Sequence, residues 1–171
     1  MSVSMSSISL PVFKSVLGNL NHLLDKAQQF IDEKKCDPAA LTQFRLAPDM
    51  FPFVRQVLIA CDGAKNGVAR ISGVEAPKFA DDETTIVELK LRIEKTISYL
   101  EGVSASTLDG TESKEITFPA GRDVTRTMLA QDYLTLWVLP NLYFHVTTAY
   151  NILRHNGVPV GKLDYLLGAK R

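Results

Sequence analysis

The stretch that decides the fold is Asn141–Val158, which reads NLYFHVTTAYNILRHNGV. Its apolar residues recur at helical spacing, and Gly157 followed by Pro159 is a typical helix end. His145 lies inside this apolar run one turn after Asn141, so the two side chains share a helix face. A histidine in a helical core is a metal ligand, an acid–base group or a buried hydrogen-bond partner. These three interpretations stay open from the residues alone.

The helix that contains this stretch is predicted to span Gln131–Asn156 and is apolar almost all round. Such a helix is usually central or lies at a subunit interface. Pro140 interrupts it, which predicts a kink and a backbone carbonyl freed near Leu136. Asn141 is then either a weak metal ligand or the hydrogen-bond partner that satisfies the kink.

Three more segments each carry one apolar stripe of helical period, at Pro11–Lys34, Asp49–Gly73 and Thr85–Gly102. The second is predicted to begin with Asp49 as its N-cap and with Pro52 in its first turn. The third begins with the T-x-x-E pattern of a capping box. These patterns predict four long helices.

The segment between the third and last helices, residues 104–126, is rich in Ser, Thr, Asp and Gly. Glu115–Phe118 and Val124–Arg126 flank Pro119–Gly121, which predicts a short β-hairpin or loop. The predicted fold is all-α: a four-helix bundle with this insertion before its last helix, formed by residues 1–171 as one domain.

Composition limits the partners. With 19 basic and 19 acidic residues the formal net charge is zero, so no basic excess indicates nucleic acid. A near-neutral surface does little to prevent self-association, and we expect a homodimer. We expect no membrane span, because no apolar run approaches 18 residues, and no signal peptide at the Ser-rich start. The two cysteines, Cys36 and Cys61, do not form a disulfide framework, which favours a cytoplasmic location.

Polar residues on the second helix are the other candidates. Gln56 could reach the fourth helix, and Arg55 and Asp62 share a face two turns apart. The plainer interpretation for all three is the solvated edge of an amphipathic helix. Cys61 lies on the apolar face, where a buried thiol is inert. Two more histidines are predicted to be structural: His22 at a boundary, and His155 at the helix C-terminus, where it complements the dipole.

FHVTTAYNILRHNGV at 144–158, LAPDMFP at 46–52 and ACD at 60–62 together resemble an uncharacterised, domain-of-unknown-function branch of the DinB/YfiT-like superfamily. The likeness extends over nearly the whole chain. It implies a four-helix bundle that is often dimeric. Better-known members resemble metal-dependent thiol transferases, hydrolases or isomerases. They bind a divalent metal ion through one histidine from the second helix and a His-x-x-x-His pair on the last helix.

Carried onto this chain, the resemblance implies a metal site at His145, Asn141 and Gln56, for a divalent ion such as zinc or nickel. His145 matches the later histidine of the pair. Asn141 stands at the earlier one, and Gln56 stands near the second-helix position. The chain thus departs from the superfamily's metal-binding pattern at two of its three histidine positions, where it has Asn141 and Gln56.

Two functions follow from this pattern. The first is a dimeric binding or scaffold protein that keeps the bundle with a degenerate metal site and could hold a small-molecule ligand. The alternative is a divalent-metal-dependent enzyme, similar to a thiol transferase or hydrolase, that uses His145. The sequence leaves enzyme status open.

Overall fold

The computed structural model describes residues 3–169 and is mostly helical, with one small sheet. The long helices are α1 (Leu10–Lys34), α3 (Phe53–Ser72), α4 (Ile86–Glu101) and α6 (Leu139–His155). Short helices are α2 (Pro38–Thr42), α5 (Ala130–Asp132) and α7 (Lys162–Leu167). A 3₁₀ turn at Ala105–Thr107 precedes strands β1 (Glu115–Pro119) and β2 (Thr125–Leu129), and a π-helix at Tyr133–Val138 joins α5 to α6.

The long helices pack side by side around one apolar core. Helix α3 makes extensive contact with α6 and also packs on α4, while α1 packs on α4 and on the short α7. Each buries the stripe that its periodicity predicts. The residues of α1 that face this core are Phe13, Leu17, Leu20, Leu23, Leu24, Ala27 and Ile31.

The start of α3 differs from the prediction. Asp49 does not cap it: the helix begins at Phe53, with Pro52 at the N-cap. The residue before a proline is disfavoured in helical conformation, so Phe51 stays outside the helix and Asp49 belongs to the preceding turn. The amide of Phe53 instead bonds to the carbonyl of Phe44 at 2.9 Å.

Helix α4 begins as predicted. The Thr85 hydroxyl accepts from the amide of Glu88 at 3.2 Å, and the Glu88 carboxylate accepts from the amide of Thr85 at 2.9 Å. The predicted hairpin is also present: β1 and β2 pair antiparallel, with Thr117 opposite Thr127. Ile116 and Phe118 of β1 are buried, which fixes the hairpin on the helices.

Helix α2 and the π-helix were not predicted, and neither was the 3₁₀ turn. Helix α2 lies in the segment expected to be a polar connection, and Asp37 caps it by accepting from the amide of Ala39 at 2.9 Å. The last helix is continuous from Ala130 to His155, but its turn before Pro140 is a π-helix in which Leu139 N–H bonds to the carbonyl of Leu134. The irregularity expected at the proline therefore has a defined form.

Within residues 3–169, no helix is both long and apolar enough to cross a bilayer.

Candidate functional site

The structure brings His145 and Gln56 together. His145, on α6, and Gln56, on α3, are both buried, and the Nδ1 atom of the imidazole lies 2.8 Å from the Gln56 Oε1 atom. The interpretation of Gln56 as a solvated edge was therefore wrong, since its side chain is only 1% exposed. The extensive α3–α6 contact positions this pair.

The orientation of the Gln56 amide is fixed by Phe51. The Gln56 Nε2 group donates to the Phe51 carbonyl at 2.9 Å, and a carbonyl can only accept. The Gln56 oxygen must then face His145, so the imidazole proton lies on Nδ1 and Nε2 carries the lone pair. Burial lowers the pKa of His145 below its usual value, which keeps the ring neutral near pH 7.

The Nε2 atom of His145 is the reactive end of this pair. No group in the described part of the chain hydrogen-bonds it. The Phe144 ring packs edge-on against the imidazole, with 5.2 Å between centroids. An imidazole held in one tautomer by its other nitrogen is the arrangement used by metal-binding and acid–base histidines.

Asn141 lies one turn before His145 but serves the backbone. Its Nδ2 group donates to the Trp137 carbonyl at 2.7 Å, in the irregular turn that precedes Pro140. The acceptor is the Trp137 carbonyl and not the carbonyl near Leu136 that the proline was predicted to free, so Asn141 contacts the irregular turn but does not satisfy that carbonyl.

The donor chemistry here does not fit a zinc or nickel site. Zinc prefers imidazole, thiolate and carboxylate ligands, whereas two of the three positions are neutral amides. The Gln56 oxygen already accepts from His145, and its nitrogen is used by Phe51. Among residues 3–169, no three His, Cys, Asp or Glu side chains converge as metal ligands do.

A cluster of carboxylates around the buried Arg92, on the neighbouring face, was not predicted. Arg92 of α4 is 1% exposed and donates to Asp62 and Asp81 at 2.8 Å each, and to Glu83 at 2.9 Å. Burial alone would lower the pKa of Arg92, but these carboxylates outweigh it and raise the value. Phe79 stacks on the guanidinium, 4.1 Å from the ring centroid. The signal for this cluster was an arginine three residues after Leu89, on the apolar stripe.

Asp62 is therefore a paired residue, contrary to the solvated-edge interpretation. It contacts Lys65 at 2.9 Å as well as Arg92, whereas no ion pair is found for Arg55 within the described chain. The neighbouring Cys61 is fully buried, and desolvation raises the pKa of its thiol to about 12. This agrees with the inert role that the sequence predicts for Cys61.

The other two histidines are structural. His22 is half-buried and pairs with Asp164 at 3.1 Å, which ties α7 to α1. His155 stacks on Phe44, with 5.3 Å between ring centroids, at the C-terminus of α6.

A cleft with a mixed polar and apolar lining runs between α3 and the π-helix, next to the Arg92 cluster. It has a volume of about 150 Å³. The polar and aromatic residues that line it are Asp62, Asn66, Arg70, Tyr133, Trp137 and Asn141. We call it the Arg70 cleft.

Comparison with solved structures shows that the chain is DinB-like. A crystal structure of a DinB family member protein from Shewanella denitrificans is similar to this chain, with 45% identity and a TM-score of 0.87. The match covers 94% of this chain and 90% of that one.

The chain belongs to the family described as a domain of unknown function, DUF1993, whose model matches residues 5–166. None of the curated proteins matches it.

Proposed function

We propose that this protein is a dimeric binding protein that keeps the DinB-like fold and has lost the metal site of its better-known relatives. The observation that carries the proposal is the 2.8 Å contact between His145 Nδ1 and Gln56 Oε1. A hydrogen bond within the protein occupies the place where the superfamily pattern requires two metal ligands on different helices. Neutral amides at Gln56 and Asn141 supply no charge to offset the desolvation of a divalent cation.

We propose further that residues 1–171 form one domain whose centre is a four-helix bundle of α1, α3, α4 and α6. The contacts of α3 with α4 and α6, and of α1 with α4, support this arrangement. The two free cysteines, Cys36 and Cys61, support a reducing compartment such as the cytoplasm.

Self-association is supported by the outer face of the last helix. Leu136, Tyr143 and Phe144 are 65%, 39% and 57% exposed, and Pro140 is exposed between them. We call these four residues the outer stripe. From Tyr133 to Leu153 the chain has no Asp, Glu, Lys or Arg, so two copies could meet along this face without charge repulsion.

The metal-free state is tested by elemental analysis of untagged protein purified without chelator and then incubated with excess zinc or nickel and desalted. We expect well below one equivalent of either metal per chain. The matched positive control is the double variant Gln56→His with Asn141→His, which restores the superfamily pattern and should gain zinc affinity.

The opposite result would favour the alternative enzyme. One equivalent of zinc or nickel in the native protein, lost in His145→Ala but kept in His155→Ala, would overturn the proposal. Thiol-transferase or hydrolase activity of the metal-loaded protein would then be the next assay.

A further inference from the structure

The Arg70 cleft contains a positive charge without a carboxylate partner. Arg70 is half-buried, and its Nη1 group donates to the Tyr133 hydroxyl at 2.8 Å. Within residues 3–169 no Asp or Glu lies within ion-pair distance of this guanidinium. This arginine is partly desolvated and is held by a neutral phenol, so binding of an anion from outside the chain would stabilise its charge.

Tyr133 holds Arg70 in place and adds a second donor. Its side chain is 1% exposed, and burial raises the pKa of its phenol, which keeps the hydroxyl protonated. The oxygen accepts from Arg70, so the O–H proton remains to be donated. The guanidinium and this hydroxyl together match the two oxygens of a carboxylate.

The other end of the cleft offers unused acceptors. Both cations that contact Asp62 use its Oδ1 atom, and no described group hydrogen-bonds to Oδ2. The side-chain amide of Asn66 has no hydrogen-bond partner in the part of the chain that the structure describes. A ligand that reaches this end would therefore bind more tightly if it carried an N–H or O–H group that donates a hydrogen bond to Asp62 or Asn66.

We propose that the Arg70 cleft binds a small carboxylate that carries a hydroxyl or amino group, such as an α-hydroxy or α-amino acid. The carboxylate pairs with Arg70 and Tyr133, and the donor faces Asp62 and Asn66. A volume of about 150 Å³ equals about five water molecules in the liquid, which is enough for such a ligand. This inference names a ligand for the proposed binding role, but it rests on different residues.

The chain provides its own probe for this site. Trp137 is the single tryptophan and lines the cleft, so its fluorescence reports what enters. We would titrate the full-length protein with L-lactate, L-alanine, acetate and inorganic phosphate. We expect saturation at millimolar concentrations with L-lactate or L-alanine, and binding at least tenfold weaker for acetate and phosphate, which lack one half of the recognised chemistry. The preference between lactate and alanine identifies the donor.

Two pairs of variants test the site itself. Arg70→Gln should weaken binding at least tenfold, whereas Arg55→Gln, a charge change on the same helix outside the cleft, should not change it. Gly63 lines the cleft, and outside its own helix backbone no described atom lies within 4 Å of an added Cβ. The Gly63→Leu variant therefore has room for its Cβ, and its longer side chain should block the ligand. Gly18→Leu, in the equally open position on α1, is its control. Circular dichroism establishes that each variant is folded.

Equal binding in Arg70→Gln, or equal affinity for acetate and L-lactate, would overturn the inference. So would the absence of any response, provided that the side-chain amide signals of Asn66 and Asn141 are also unmoved in NMR spectra. Metal content and oligomeric state are measured on the same preparation. A metal-free dimer that does not bind these ligands would contradict this inference but not the proposed function. A zinc-bound protein that binds lactate would contradict the proposed function but not this inference.

Discussion

The side chain of Gln56 determines the chemistry of His145. Its amide is oriented by the Phe51 carbonyl, so its oxygen can only accept a hydrogen bond from the imidazole N–H group. A glutamine is neutral and does not raise the pKa of the ring as a carboxylate would. The histidine therefore stays neutral, with the lone pair of Nε2 turned away from Gln56.

The tautomer of His145 is the first prediction. We expect ¹⁵N NMR at pH 7 to show the proton on Nδ1 and an unprotonated Nε2. Gln56→Leu removes the acceptor and should shift the tautomer toward the Nε2–H form, which is favoured in free imidazole side chains. A native spectrum with the proton on Nε2 would contradict the network, and the signals of His22 serve as an internal reference.

The stability of the protein should fall on mild acidification. Burial lowers the pKa of His145 below 6.5, so as the pH drops below about 6.5 the unfolded chain binds a proton that the folded chain does not. The free energy of unfolding then decreases with falling pH down to the folded pKa. His145→Asn keeps a donor toward Gln56 without titrating, so its denaturation midpoint should fall less over the same range. If the denaturation midpoints of the native protein and of His145→Asn fall equally with pH, a group other than His145 is responsible for the loss of stability.

The two cysteines should differ sharply in reactivity. The pKa of Cys61 is raised to about 12 by desolvation, and its side chain is fully buried, whereas Cys36 is half-buried at the end of α1. Because the thiolate is the reactive form, we expect a disulfide reagent at pH 8 to modify one thiol in the native protein and two in denaturant. Cys36→Ser should leave the native protein unreactive, and rapid modification of that variant would contradict the burial of Cys61.

At the scale of elements, Arg92 joins three segments. Asp62 belongs to α3, Arg92 belongs to α4, and Asp81 and Glu83 lie on the connection between the two helices. The cluster thus holds this connection against α3 and α4, although the connection has no helix or strand of its own.

Removing the guanidinium should destabilise this connection. Arg92→Leu leaves three carboxylates close together without their shared cation. Losing one partner of a buried ion pair costs about 3–5 kcal/mol of unfolding free energy. Because Asp62 and Asp81 keep some water contact, we expect the free energy of unfolding to fall by about 3 kcal/mol, the lower end of that range. Urea denaturation measures the loss, and hydrogen exchange should accelerate at residues 74–85. Lys95→Leu, an exposed change on the same helix, is the control. Equal stability of the two variants would mean that the cluster contributes nothing.

Elements with a local chemical cause could be predicted from the sequence. The capping box at Thr85, the Gly73 helix end and the hairpin around Pro119–Gly121 depend on neighbouring residues. Helix α2 was missed although Asp37 and Pro38 form a local start signal, because five residues are too few to show a helical period. The π-helix was missed because a proline predicts an irregularity without specifying its form. At the candidate site, Gln56 and His145 followed from the family pattern. Arg70 and Tyr133 were missed, because a cleft formed by two helices leaves no periodic signal in either.

At the scale of the whole molecule, the outer stripe is the surface that we propose for self-association. Leu136 and Phe144 are exposed apolar side chains two turns apart, and the uncharged segment that contains them provides no repulsion between copies. A second copy placed about a two-fold axis would bring the same stripe against itself. A stable dimer buries about 800 Å² on each partner, so the flanking helix surface must contribute as well.

The last prediction concerns the dimer. We expect sedimentation at micromolar concentration to show a dimer, and Leu136→Asp or Phe144→Asp to convert it to a folded monomer, because an aspartate at the centre of a two-fold interface meets its own copy. Val87→Asp is the matched control: Val87 is an equally exposed apolar residue on α4, at 58%, outside the outer stripe. If Val87→Asp alone dissociates the protein, α4 forms the interface, and a native protein that sediments as a monomer would contradict self-association through either face.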